Sequence, residues 1–276
     1  MERMSRLVRQ HAETARLMGT DCVPVYRSGA GAAVEVEQAQ IVEVPVATVA
    51  AARPVETLNQ TGVATDERER ARLALDELRK RYEREAPHKA FVTAFKNIVF
   101  GEGDPCARLM FIGEAPGEEE DKTGRPFVGR AGQLLNKMIA AMGLSREQVY
   151  ICNVLKTRPL NNATPTPGEA AACEPYLMEQ VAIVAPEVIV TLGLPASRLV
   201  LKSDNTMSNL RGRWASLAVP GKSPVAVMPT YHPAFVLRSY TPENRGKVWS
   251  DLKQVMDRLG LQSPATAAPG DENAIH

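Results

Sequence analysis

No part of this chain constrains its fold more than Leu109–Leu135, which reads L-M-F-I-G-E-A-P-G-E-E-E-D-K-T-G-R-P-F-V-G-R-A-G-Q-L-L. The apolar run Leu109–Ile112 has the length of a buried strand and breaks at Gly113-Glu114-Ala115-Pro116-Gly117. An acidic segment follows, then Pro126-Phe127-Val128-Gly129 and the start of a helix. A strand that leaves a sheet through a Gly/Pro loop and enters a helix is where an open α/β sheet holds its ligand. Phe127 is an aromatic on that loop rather than in a core stripe. The alternative is an ordinary strand-to-helix connection with no ligand.

The same grammar recurs downstream. Strands are readable at 108–112, 149–153, 187–192 and 225–229, and helices at 131–142, 168–185, 195–201 and 243–259. Strands alternating with helices predict an α/β fold with a largely parallel sheet covered on both faces. Upstream, 66–86 reads as a charged helix with Leu73, Leu75, Leu78 and Tyr82 as its apolar stripe and its charges in solvent. Residues 1–65 are expected to be a flexible extension, with a short amphipathic helix over 1–16, and 262–276 a disordered tail. The main domain is then 87–261.

Net charge is +1, so any nucleic-acid contact must come from a local patch. No apolar run is long enough to span a membrane, and the N-terminus lacks the core of a secretory signal. Cys22, Cys106, Cys152 and Cys173 form no C-x-x-C pair, which predicts free thiols and a cytoplasmic location.

Two further segments follow strands on the same sheet edge. Tyr150-Ile151-Cys152-Asn153-Val154-Leu155-Lys156-Thr157-Arg158-Pro159 places Asn153 where a strand ends. A carboxamide donates and accepts at once, as an amide-bearing base edge requires. Uracil offers O4 as acceptor and N3–H as donor, whereas cytosine inverts the first, so a fixed Asn separates them. The alternative is an Asn that caps the next turn. In Tyr231-His232-Pro233-Ala234-Phe235-Val236-Leu237-Arg238, a His held extended by the following proline could donate to an oxygen that gains charge. The apolar residues after it fit a wedge into a base stack with Arg238 at phosphate, or simply the apolar start of a helix.

Together these three motifs, in this order and spacing, resemble the family 4 uracil-DNA glycosylases, over about 97–259. The resemblance implies a three-layer α/β/α sandwich with a central four-stranded, mostly parallel sheet. It implies hydrolysis of the N-glycosidic bond of deoxyuridine in single- or double-stranded DNA, releasing uracil and leaving an abasic site. It implies that Phe127 stacks on uracil and Asn153 reads its O4/N3 edge. Backbone amides near Glu114 and Ala115 would hold O2 with His232. Glu114 takes the water or electrostatic role, beside the Ala115 position where other superfamily members keep an Asp. DNA contacts are expected from Lys156, Arg158, Arg211, Arg213, Val236, Leu237 and Arg238.

The family's iron–sulfur cluster needs four cysteines, and here its positions fall on Ala86, Lys89, Thr157 and Cys173. One thiolate cannot hold a cubane, so no metal and no cofactor are expected, with apolar packing and the Tyr82 helix bracing the region instead. The segment K-T-R-P-L-N-N-A-T-P-T-P carries no His, which argues against the covalent uracil trapping of one relative. The chain is expected to act as a monomer without a membrane, and residues 1–65 leave room for a protein partner. Two other readings stand beside the enzyme. One is a glycosylase-like protein that grips DNA or deaminated bases without cutting. The other is a nucleotide-binding α/β protein, which the carboxylates at 118–121 oppose.

Overall fold

The computed structural model describes residues 60–93 and 95–262. The expectations for 1–59 and 263–276 lie outside the described residues. The chain forms a six-stranded sheet in the order β1-β3-β2-β4-β6-β5. The strands are β1 (Glu102–Gly103), β2 (Leu109–Gly113), β3 (Tyr150–Asn153), β4 (Val188–Leu192), β5 (Ala215–Leu217) and β6 (Val225–Thr230). The inner four, β3, β2, β4 and β6, pair in parallel. The expected four-stranded sheet is therefore present, but it is extended. β1 and β5 add antiparallel edges, with Glu102 opposite Ile151 and Ala215 opposite Val227. Both edge strands are too short to show a period of two in the sequence.

Every residue of β2 is buried, because both faces of the sheet are covered. Met110 and Ile112 face one apolar core with Tyr150, Cys152, Ile189 and Val227. Leu109 and Phe111 face the other with Ile151, Val188, Val190 and Met228. The first core is closed by α1 (Gln60–Glu85), α4 (Pro167–Val184) and α5 (Leu194–Leu201). The second is closed by α3 (Arg130–Ala141), α7 (Pro233–Arg238) and α8 (Pro242–Leu259). The remaining short helices are α2 (Glu118–Thr123) and α6 (Met207–Leu210). A three-layer α/β/α sandwich results.

Local chemistry sets several helix starts. Thr166 and Glu169 form a reciprocal capping box ahead of α4, with Pro167 in its first turn. Thr241 accepts from the Asn244 amide ahead of α8. Helix α1 begins at Gln60, ahead of the expected Asp66, and turns Leu75, Leu78 and Tyr82 inward. Leu73, expected in that stripe, is 54% exposed. Leu75, Leu78 and Tyr82 are spaced three or four apart, whereas Leu73 falls off that face. The charges of α1 pair mostly along the helix, as in Arg72–Glu69 and Arg79–Glu83, while Arg81 reaches Glu179 on α4. No helix among the described residues is long and apolar enough to cross a membrane.

Candidate active site

The parallel strands β2, β3, β4 and β6 point the same way, so their carboxyl ends share one edge of the sheet. A cavity of about 640 Å³ opens there. Its walls include Glu114, Phe127, Asn153, Tyr231, His232 and Arg238, drawn from all three motifs.

Phe127 forms one wall. Its ring is buried, and its backbone is left-handed at φ 50°. A non-glycine residue holds that conformation only when its surroundings enforce it. Here Arg146 donates to the carbonyls of Pro126 and Phe127. Glu120 Oε1 accepts from the amides of Val128 and Gly129, each at 2.8 Å, and its Oε2 accepts from Gly117 at 3.2 Å. One carboxylate thus ties the loop after β2 to the loop that carries Phe127. Gly132 is required beneath them, since a Cβ there would lie 1.8 Å from the Phe127 carbonyl oxygen.

Asn153 ends β3 directly opposite Gly113 in β2. A side chain at Gly113 would collide with the Asn153 Oδ1 at 2.3 Å and the Phe127 ring at 2.5 Å, so glycine there brings carboxamide and ring together. Asn153 is 1% exposed, and its Oδ1 has no hydrogen-bond partner in the protein. Unsatisfied buried acceptors are rare, which distinguishes this one from a capping Asn. The backbone of Asn153 is fixed from below, where the fully buried Lys156 amine donates to its carbonyl at 2.7 Å.

His232 caps α7. Its Nδ1 accepts from the Ala234 amide at 3.0 Å, which leaves the proton on Nε2. Burial, with the nearby Arg238 charge adding to it and Glu120 opposing, pushes its pKa down to about 4. It is therefore a neutral donor at neutral pH. Its ring lies 5.7 Å from that of Phe127, and Gly193 must lack a Cβ to let it approach. Glu114 lies half-buried at the mouth of β2, and burial raises its carboxyl pKa while Thr164 opposes the shift.

The expected DNA-contact residues separate. Arg238 and Arg213 are exposed, and Arg158 and Leu237 are partly so. Three expectations are corrected. Lys156 is fully buried, held by Asn153 and Gln180 over the Phe100 ring, and cannot meet phosphate. Val236 is 3% exposed and packs into the core against α3 and α8, so it is no wedge. Arg211 spends its guanidinium on the buried Asp251 carboxylate and the Lys247 carbonyl, and it underlies the Tyr231 ring. Asp251 also accepts from Thr230 at the end of β6, which anchors the third motif to α8. Sequence reasoning missed Glu120 and Arg146. Nothing in E-E-E distinguishes the one glutamate that turns back to three amides, and Arg146 lies outside every motif.

Residues 100–253 match the family model of the uracil DNA glycosylase superfamily. A type-4 uracil-DNA glycosylase of Thermotoga maritima is 47% identical over 162 residues, covering 57% of this chain and 81% of that protein. The chain belongs to the type-4 uracil-DNA glycosylase family. Its similarity to the type-4 uracil-DNA glycosylase of Archaeoglobus fulgidus is 44% over 172 residues, covering 61% of this chain and 85% of the other. A type-5 uracil-DNA glycosylase of Pyrobaculum aerophilum is 33% identical over 147 residues, covering 48% of this chain and 63% of that protein. The matched region contains all three motifs of this type-4 chain, and α1 precedes it.

The four positions where the family resemblance puts cluster ligands do not fit a cluster here. Ala86 offers no donor, Thr157 offers a hydroxyl, and Lys89 is exposed. Cys173 is a free thiol, fully buried, whose Sγ lies 4.0 Å from the Tyr82 hydroxyl. A cubane requires four thiolates.

Proposed function

We propose that this protein hydrolyses the N-glycosidic bond of deoxyuridine in DNA, releasing uracil and leaving an abasic site. The observation that carries the reading is the buried Asn153, its Oδ1 unpartnered, in the wall of a cavity that Phe127 and His232 also line. A uracil flipped from the stack would lie against the Phe127 ring. Asn153 Oδ1 would accept from N3–H, and its amide would donate to O4. Cytosine presents the wrong groups to both, and leaving a buried amide unpaired costs about 1–3 kcal/mol per contact. Neutral His232 would donate from Nε2 to O2.

In the reaction the C1′–N1 bond breaks, its electron pair leaves with uracil, and negative charge spreads onto O2 and O4. The His232 and Asn153 donors, fixed before reaction in a water-poor pocket, stabilise that charge. A water oxygen then bonds to C1′, and the proton it loses passes through solvent to the uracil anion, which leaves as neutral uracil. Glu114, at the cavity mouth, would stabilise the positive sugar and orient that water. Arg158, Arg213 and Arg238 are proposed to hold phosphates, and Leu237 to fill the gap left by the flipped base. We read the enzyme as a monomer acting in the cytoplasm.

The test is single-turnover release of uracil from single- and double-stranded oligonucleotides. Excision from at least one is expected. Binding to both with release from neither would replace the enzyme with a base-binding protein of the same fold.

A further inference from the structure

Three of the four family-implied cluster positions lie beside one residue of α1, while Lys89 is exposed. Tyr82 comes from the inner face of α1 and is 0% exposed. The amide of Ala86 donates to the Tyr82 main-chain carbonyl at 2.8 Å, closing the last turn of α1, Cys173 Sγ lies 4.0 Å from the Tyr82 hydroxyl, and the Thr157 side chain borders the same hydroxyl. Ala86, Thr157 and Cys173 are all buried around it. The ring is closed in by His88 at 5.3 Å, Tyr176 at 4.9 Å edge-on and Phe100 at 6.1 Å between centroids. Three aromatic rings thus pack against Tyr82 beside these positions.

We infer that Tyr82 is this protein's replacement for the iron–sulfur cluster, a side chain from a preceding helix that braces the segments the metal would otherwise staple. Three segments meet at this point: the turn at 86–91, the loop after β3, and α4. In a cluster-bearing protein, thiolate–iron bonds cross-link such segments. Here α1 supplies the link through apolar contact, seated by Leu75 and Leu78 on the same core. Polar ties lie at its rim, where Tyr176 donates to Glu85 and Arg81 pairs with Glu179.

Two details suit a site built for something other than this packing. Thr157 Oγ1 and His88 Nδ1 are buried without a hydrogen-bond partner. Native interiors carry few such groups. Both lie at or beside cluster positions, Thr157 at the third and His88 between the first two. Aromatic packing refilled the volume without satisfying every polar atom that borders it.

The consequence is functional. The loop after β3 carries Lys156 and Thr157, so the brace at Thr157 lies four residues beyond Asn153, which presents the proposed base-reading amide from the end of that strand. In a cluster protein that segment depends on iron. Here it depends on α1, which lies ahead of the region the family model matches. Helix α1 is thus part of the working domain rather than an appendage. The inference rests on family membership and packing, and not on uracil excision, so its readouts are iron and melting temperature.

Full-length protein purified without oxygen is expected to contain no stoichiometric iron. Tyr82→Phe keeps the ring and should melt near the wild type, whereas Tyr82→Ala should lower Tm by about 10 °C. Introducing Ala86→Cys, Lys89→Cys and Thr157→Cys together should still give no cluster while Tyr82 remains. Adding Tyr82→Ala to those three should yield a brown protein with stoichiometric iron. Iron in the wild type, a full cluster in the three-cysteine variant, or an unchanged Tm for Tyr82→Ala would each overturn the proposal. So would a folded four-substitution variant that takes up no iron. If that variant does not fold, the Tm series and the wild-type iron content decide.

Discussion

At the scale of single residues, the site depends on groups held in one protonation state or left with one lone pair free. Asn153 is the sharper case. Replacing it with Asp keeps the shape but swaps the amide donor for an oxygen that would repel uracil O4. Single-turnover excision of uracil should fall at least about 100-fold, the loss of one preorganised donor plus a new repulsion. An unchanged rate would remove Asn153 from base reading. His232 supplies a pH prediction. Its pKa is depressed to about 4 from an ordinary 6.5. The unfolded chain therefore takes up a proton as pH falls through 6.5, while the folded chain resists until near 4. The associated stability is complete above pH 6.5 and is lost on acidification towards 4, by at most about 3 kcal/mol. Urea midpoints between pH 7 and 5 should fall more steeply for the wild type than for His232→Asn. Parallel curves would show that His232 is not held neutral by the fold.

At the scale of elements, the site depends on two loops being tied together before DNA arrives. Glu120 accepts from three backbone amides across those loops. Glu120→Gln leaves one acceptor oxygen and turns an amine towards a donor. We expect about 1–3 kcal/mol less stability and a drop in kcat/KM of at least about tenfold, because Phe127 loses its fixed backbone. Full activity in a destabilised variant would show that the tie is structural alone. The sequence announced the loops through Gly113, Pro116, Phe127 and Gly129, since turn-forming residues act locally. It did not announce the tie, because which glutamate of Glu118-Glu119-Glu120 turns inward depends on where the other loop passes. β1 and β5 were hidden for a similar reason. They are strands only because a neighbour offers them a free edge.

At the scale of the whole molecule, a net charge of +1 gives no long-range pull on DNA, so affinity must rest on a few cations near the cavity. With Lys156 buried and Arg211 paired to the buried Asp251, three remain of the five cations expected from the motifs: Arg213, Arg238 and Arg158, the last 3.8 Å from the exposed Glu118 carboxylate. The dependence of log affinity on log salt for non-specific duplex should have a slope of about −3. A slope near −5 would mean that other cations do this work. Shortening of the slope by about one unit in Arg238→Ala would assign that residue its phosphate.

The α/β fold, the strand-end position of Asn153, the places of Phe127 on a loop and His232 just after a strand, and the lack of cysteine at three of the four family-implied cluster positions could all be read along the chain. These are properties of motif order, hydrophobic run length and residue chemistry, which are readable along the chain. The three-dimensional arrangement alone shows that Lys156 and Val236 face inward, that Arg211 is consumed by Asp251, and that the Tyr82 hydroxyl is buried 4.0 Å from the Cys173 thiol. Burial and partnership are set by elements distant in sequence arriving at one place. A basic residue in a motif carries no local sign of whether solvent or a buried carbonyl will receive it. The missing cysteines called for a brace from the Tyr82 helix, but nothing along the chain says that the ring would be buried against Cys173.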